Sequence, residues 1–251
     1  MYDYTSLVIT VARNDSILLK KLAQSMKNQT IRPQEWLIIL DENTDNMLEI
    51  MSDFLAENSW VNIVPEKLHK RVPSRGARIS TLFSIAVANS SLDWDFCSKI
   101  DADMELEKDY FKKILLEFDS NPDLGIASGN CILPQKWGGK MERVPRYHTR
   151  GGLKTYRRQC FDQIGGLEPI DGWDTVDNIK AGICGWDTSN FSHIVASHAR
   201  PTGSKKGLLY TCFNEGRKSY FLGYFTPFFF AKVLHRMLSK PLFIGGFAML
   251  F

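Results

Sequence analysis

The chain has 251 residues, 44% apolar and 24% charged, which excludes an intrinsically disordered protein and suffices to bury a core without staples. The formal charge of +3 is unevenly spread: from Pro201 onward seven Lys/Arg stand against one Asp/Glu, net +6, leaving −3 on residues 1–200. No nucleic-acid-binding motif accompanies that basic tail, so a membrane surface is the expected partner and nucleic acid is excluded.

Leu7–Val11 and Trp36–Leu40 are short runs of branched apolar residues, the pattern of strands buried on both faces. Between them Asn14 or Asp15 can cap a helix with Leu18, Leu22 and Met26 on one side. A second helix carries Met47, Ile50, Met51 and Phe54, and Val61–Val64 reads as a third strand. A third helix follows with Ile79, Leu82, Phe83 and Ala86, then a strand over Asp95–Ile100. Phe111–Phe118 is helical and Leu124–Ser128 a strand. This alternation predicts a doubly wound α/β unit with a mostly parallel sheet. Further on, a short helix over Arg157–Ile164 ends at Gly165-Gly166, another spans Thr175–Ile183, and Phe191–Ala196 is a strand.

Ligands of such sheets sit at the carboxyl ends of the strands. Thr10 and Arg13 follow the first strand, Asp41 the second, and Asp101 and Asp103 the fourth. The first strand–helix turn lacks GxGxxG and no GxxxxGK[ST] occurs, which disfavours a dinucleotide oxidoreductase and a P-loop enzyme. In Lys99-Ile100-Asp101-Ala102-Asp103 two carboxylates one residue apart offer hard oxygen ligands for Mg²⁺ or Mn²⁺. By itself an Asp-x-Asp is more often a solvated turn; its position at a central strand end raises its weight. His198 after the last strand, with Arg200, forms a further constellation able to reach a metal or a phosphate. Lys205 and Lys206 are read as solvated charges. His69, His148 and His193 show no partner pattern and are read as structural. The five cysteines are odd in number and form no CxxC pair, so they are read as packing residues in a reducing, cytosolic setting.

Taken in order, these motifs resemble the family 2 glycosyltransferases, inverting nucleotide-sugar transferases of the GT-A fold, over roughly residues 5–203. Leu7–Asn14 resembles the opening strand and turn, with Thr10 and Ala12 in place of the usual Pro and Tyr. Ile38–Asp45 resembles the acidic second turn, whose first Asp, here Asp41, contacts the base. Arg75 falls near the family's base- or phosphate-binding Arg. Asp101 and Asp103 match the Asp-x-Asp, which implies metal ligation by Asp103 and a ribose- or sugar-side contact, or a share in the metal, for Asp101. Tyr156–Leu167 resembles the approach to the acceptor pocket. Gly172-Trp173-Asp174 stands where the family carries its Glu-Asp pair, so the resemblance implies Asp174 as general base, with Asp177 one helical turn on as the second candidate. Trp173, in the Glu position, is an acceptor-side stacking candidate.

The resemblance implies transfer from a UDP- or GDP-linked sugar to a glycan or lipid-linked hydroxyl, assisted by Mn²⁺ or Mg²⁺, as in polysaccharide synthesis. A non-catalytic membrane-associated scaffold of the same fold is the alternative, and a sugar-1-phosphate nucleotidyltransferase ranks lower because the first turn contains no Gly. The expected organisation is a GT-A domain over 1–205, with a nucleotide-sugar half to 104 and an acceptor half to 205, and a basic, aromatic tail over 206–251. Ser219–Phe251 holds ten aromatic residues, and its longest uncharged stretches are 13 and 11 residues. Both are short of the ~20 needed to span a bilayer, so a peripheral position on the inner face of the cell membrane is expected.

Overall fold

The structure, a computed structural model, describes residues 4–42, 45–66, 72, 74–134, 138–142, 144–199, 207–239 and 241–250. Of the residues singled out above, Asn43, Thr44, His69, Arg200, Lys205 and Lys206 lie outside them. The chain divides into two compact units, Met1–Ala199 and Arg200–Phe251.

The first unit begins with three βα steps and a fourth strand: β1 (Ser6–Ala12), α1 (Ser16–Lys27), β2 (Glu35–Asp41), α2 (Met47–Glu57), β3 (Val61–Glu66), α3 (Arg75–Asn89) and β4 (Phe96–Ile100). There follow β5 (Met104–Leu106), α4 (Tyr110–Ser120), β6 (Leu124–Ile132), β7 (Leu153–Arg157), α5 (Arg158–Gln163), α6 (Trp173–Ile183) and β8 (Asp187–His198). Among the described residues the strands form one sheet in the order β3-β2-β1-β4-β7-β6-β8-β5. β3, β2, β1 and β4 run parallel; β7 enters antiparallel between β4 and β6, β8 is parallel to β6, and β5 closes the edge antiparallel to β8.

Alternation along β1 shows why the sheet is covered twice. Val8 and Ala12 join Leu19, Leu22 and Met26 of α1, with α2 and α4, in one apolar layer. Leu7 and Ile9 join Leu82 and Phe83 of α3, with α5 and α6, in the other. Each strand residue thus enters a core, which requires the unbroken apolar runs seen in the sequence. The buried stripe of α1 runs through Leu19, while Leu18 is half-buried.

Two local expectations are corrected. Asp15 is the N-cap of α1 but makes no capping hydrogen bond through its side chain. Instead Asp45, from the turn after β2, accepts from the Ser16 N–H at 3.1 Å, tying the first two strand ends together. In addition β5 and β7, unforeseen from the sequence, complete the sheet.

Strand order sets the site. The chain moves from β1 outward to β3 and then returns to β4 on the other side of β1, so the carboxyl ends of β1 and β4 flank the crevice where the winding reverses. The short β5 then places Met104 opposite His198 at the end of β8.

Candidate active site

At the first strand ends, Asp41 is buried and its carboxylate accepts from Arg78, with Nε at 2.8 and 2.9 Å and Nη2 at 2.5 Å. This fork-to-fork geometry holds the Arg78 guanidinium above its ordinary pKa. Arg13, largely exposed, reaches Asp41 at 3.9 Å and Glu42 at 3.1 Å. Asn14 and Glu42 both adopt positive φ, 52° and 47°, a conformation costly for residues with a Cβ and concentrated at functional turns. The arginine expected to serve this end was Arg75. It is exposed at the start of α3, and Arg78, one turn on, is the residue that meets Asp41. Thr10 is also displaced from its expected role: it is fully buried, and its hydroxyl accepts from the Trp36 indole N–H at 3.0 Å.

At the end of β4, the Asp101 carboxylate pairs with the buried ammonium of Lys99. Asp103, two residues on, lies across from the end of β8, its Oδ1 3.6 Å from His198 Nε2. His198 is buried, and among the described residues its Nδ1 has no hydrogen-bond partner, although Glu142 stands 3.8 Å away. The unpartnered Nδ1 faces Glu142 and Nε2 faces Asp103, so an ion shared with the Asp-x-Asp would be reached through Nε2. Together with the Asp-x-Asp oxygens, this donor set suits Mn²⁺ or Mg²⁺. Cys131 also comes within 4.8 Å of Glu142 and His198. There, however, Arg150 already pairs with Glu142, and burial pushes the Cys131 thiol up to about 11. A cation on that side would meet a guanidinium and a protonated thiol, so the Asp103 side is the better match.

The Asp174 carboxylate arrives through a close approach of backbone. Gly151 and Gly152 lead into β7. A Cβ added at Gly152 would lie 2.7 Å from Asp101 Oδ2, and one at Gly151 would lie 3.0 Å from Asp174 Oδ2. The diglycine thus has the two carboxylates against its adjacent residues, a space that side chains at these positions would fill. Asp174 is partly exposed in the first turn of α6, behind a left-handed Gly172 with φ 85°.

Asp177, one turn on, has a different environment. It is buried, pairs with the fully buried Lys154, and accepts from Tyr156 Oη at 2.6 Å and the Asn178 N–H at 2.7 Å. Lys154 also donates to the Asp174 backbone carbonyl at 2.7 Å. Burial lowers the Lys154 pKa and pushes the Tyr156 phenol up. Trp173 corrects the expectation of an exposed stacking platform: it belongs to the buried layer, with the Lys99 and Lys154 ammonium groups 5.4 and 5.5 Å from its ring centre. His148, read from sequence as merely structural, touches Asn178 at 3.4 Å. Asn178 in turn donates to the Asp174 carbonyl at 3.1 Å.

Residues 7–170 match the model of glycosyl transferase family 2. The chain belongs to this family. Its structure is similar to the mannosyltransferase PcManGT from Pyrobaculum calidifontis, solved with GDP-Man and Mn2+, with a TM-score of 0.64 and 15% identity over 86% of this chain and 62% of that one. It is also similar to GalNAc-T7 with UDP, GalNAc and Mn2+, at 0.63 and 17% over 80% and 44%. A third likeness is to S. aureus TarS 1-349, at 0.59 and 15% over 83% and 64%. The family 2 member therefore has the GT-A fold, and it covers less than two thirds of each of these chains.

Arg78, Lys99 and the diglycine are the site residues that sequence reasoning passed over. Lys99 stands in the quoted strand and Arg78 lies one helical turn from Arg75, so residue types signalled both. Which arginine faces Asp41 is decided by the packing of α3.

Proposed function

We propose that this family 2 member is an inverting hexosyltransferase, moving a sugar from a UDP- or GDP-linked donor to a hydroxyl of a glycan or lipid-linked acceptor. The observation that carries the reading is the diglycine, which has Asp101 and Asp174 against neighbouring residues. A single displacement needs one base beside the bound donor, and Asp174 as base lies against Gly151 while Asp101 as donor contact lies against the adjacent Gly152.

In this reading the Asp41–Arg78 pair receives the base and Arg13, exposed beside it, faces the diphosphate. Lys99 holds one oxygen of Asp101, leaving the other for the ribose or sugar side. Asp103 and His198, with Asp101 adjacent, hold the divalent ion, Mn²⁺ or Mg²⁺. When bound, that ion neutralises charge on the leaving diphosphate. Asp174 accepts the proton of the attacking hydroxyl, and attack from the face opposite the leaving group inverts the anomeric centre. Asp177 is assigned to positioning rather than to the proton: its oxygens are engaged by Lys154, Tyr156 and the Asn178 N–H, and Lys154 anchors the first turn of α6 at the Asp174 carbonyl. Arg200, outside the described residues, keeps its expected role at the diphosphate. The activity belongs to polysaccharide synthesis at the inner face of the cell membrane.

Thermal unfolding with UDP and GDP, each with and without Mn²⁺, tests the donor site. A metal-dependent rise in midpoint for one nucleotide is expected, lost in Asp103→Ala, because a ligand that binds only the native state stabilises it by mass action. Asp174→Asn should keep that rise while transfer falls by about 10²–10⁴-fold. Wild-type transfer by Asp174→Asn would remove it as the base, and no rise with either nucleotide would remove the donor assignment.

A further inference from the structure

The second unit consists of α7 (Leu208–Phe221), α8 (Thr226–Met237) and α9 (Ile244–Ala248), and its helices are built inside out. On α8 the charged residues turn inward. Lys232 lies 3.4 Å from Glu215 and 3.3 Å from Ser219 of α7, with its ammonium 5.2 Å from the Tyr224 ring centre. Arg236 donates to Cys212 Sγ at 3.2 Å and to the Ser239 carbonyl at 3.0 Å. Val233 lies buried between these charges. The opposite face carries Leu234, with Leu238 just past the helix end, 63% and 76% exposed. A helix in water shows the reverse arrangement.

The neighbours repeat the pattern. α9 turns Gly245 and Gly246 inward and Phe247 outward, and α7 buries Gly216 while exposing Tyr220 and Phe221. The only fully buried apolar side chains of the unit among the described residues are Cys212, Val233 and Met249, too few to outweigh so much apolar surface left in water.

We infer that the outer face of this unit is a docking surface for an anionic lipid bilayer, in which α8 and α9 lie in the plane of the interface. Charge selects this occupant. The segment from Pro201 carries net +6; of its described cations Lys232 and Arg236 turn inward, Lys218 pairs with Glu215 at 3.6 Å, and Arg217 is exposed on α7. A second copy would set this net-positive segment against itself across a twofold axis, whereas acidic head groups complement it. Composition agrees, since aromatic rings beside basic residues belong at the head-group level. Length fixes the mode: no described helix is long and apolar enough to cross a membrane, and at 1.5 Å per residue the 12 residues of α8 extend about 18 Å. This inference does not depend on the transfer chemistry.

Co-sedimentation of the full chain with vesicles of phosphatidylcholine alone, or mixed with phosphatidylglycerol, tests it, with light scattering reporting the oligomeric state. The wild type should bind mixed vesicles more tightly than neutral ones. Leu234→Ser, exposed and outside the unit's core, should weaken binding to both by about tenfold with an unchanged melting midpoint. Arg217→Ala should weaken binding about fivefold on mixed vesicles and leave neutral ones unaffected. Failure to bind either vesicle, or binding indifferent to Leu234→Ser, overturns the proposal. So does a dimer that Leu234→Ser dissociates in the absence of lipid binding, which would assign the face to a second copy.

Discussion

The parallel and mixed halves of the sheet carry their chemistry in different places. In the parallel half, β1 and β2 are almost wholly apolar and the candidate groups sit at or just beyond the strand tips, Arg13, Asp41 and Asp101, with Lys99 near the end of β4. In the mixed half, polar groups are part of the strands themselves. Lys154 and Tyr156 lie inside β7, Asn190 bridges from β8 to Ser128 of β6 at 2.9 Å, and His198 ends β8. The tips of the parallel half can therefore be altered with little damage to the fold. The mixed half cannot, because Lys154, which donates to the Asp174 carbonyl, also holds the sheet to α6 through Asp177.

Breaking the buried pair in the mixed half should give the largest effect. Lys154→Met strands the Asp177 carboxylate in a site that is 2% exposed and should cost about 3–5 kcal/mol by denaturant unfolding, since removing one partner of a buried pair leaves an uncompensated charge. Replacing both, as Lys154→Met with Asp177→Leu, should recover much of that loss while transfer stays impaired, because the Asp174 carbonyl has lost its ammonium donor. A double variant with normal transfer would separate orientation of Asp174 from Lys154. At the tip of the parallel half, Arg78→Lys keeps the charge but loses the fork on Asp41. It should cost about 1–2 kcal/mol of stability at most and act mainly by shrinking the nucleotide-induced rise in midpoint. A loss as large as that of Lys154→Met would erase the contrast between the halves.

The same contrast explains what could be read from the sequence. Leu7–Val11 and Trp36–Leu40 are continuous apolar runs because both faces of β1 and β2 are covered, so the strands and the polar residues after them were legible together. β7 was not, because Lys154 interrupts its pattern. Its burial makes sense only once Asp177, distant in sequence, is folded against it. β5 is three residues long, below any periodicity, yet it brings Asp103 to His198. Position after strands gave Asp101, Asp103 and His198 as candidates, and the family resemblance gave Asp174. Neither settled Arg78 over Arg75, Asp45 over Asp15 as the acceptor of the cap, or the burial of Trp173, which depend on helix rotation and on loops meeting in space.

The smallest expected effect lies beside Asp174 and concerns pH. Burial lowers the pKa of His148, and the nearby Asp174 carboxylate opposes that shift without cancelling it. The unfolded chain therefore takes up a proton at His148 as pH falls through the ordinary histidine value of about 6.5, where the folded chain does not yet do so. Proton uptake by the unfolded state alone favours unfolding, so this contribution to stability is present above that value and declines below it. The decline levels off once pH has passed the lower, folded value. His148→Asn should remove this component, so melting midpoints of wild type and variant should converge as the solution is acidified through the histidine range. The ring is only partly buried, so water screens the penalty and keeps the effect below those of the two substitutions above. Parallel midpoint profiles for wild type and His148→Asn would mean that His148 titrates as it does in water, and that the polar shell around the first turn of α6 is wetter than the rest of the mixed half.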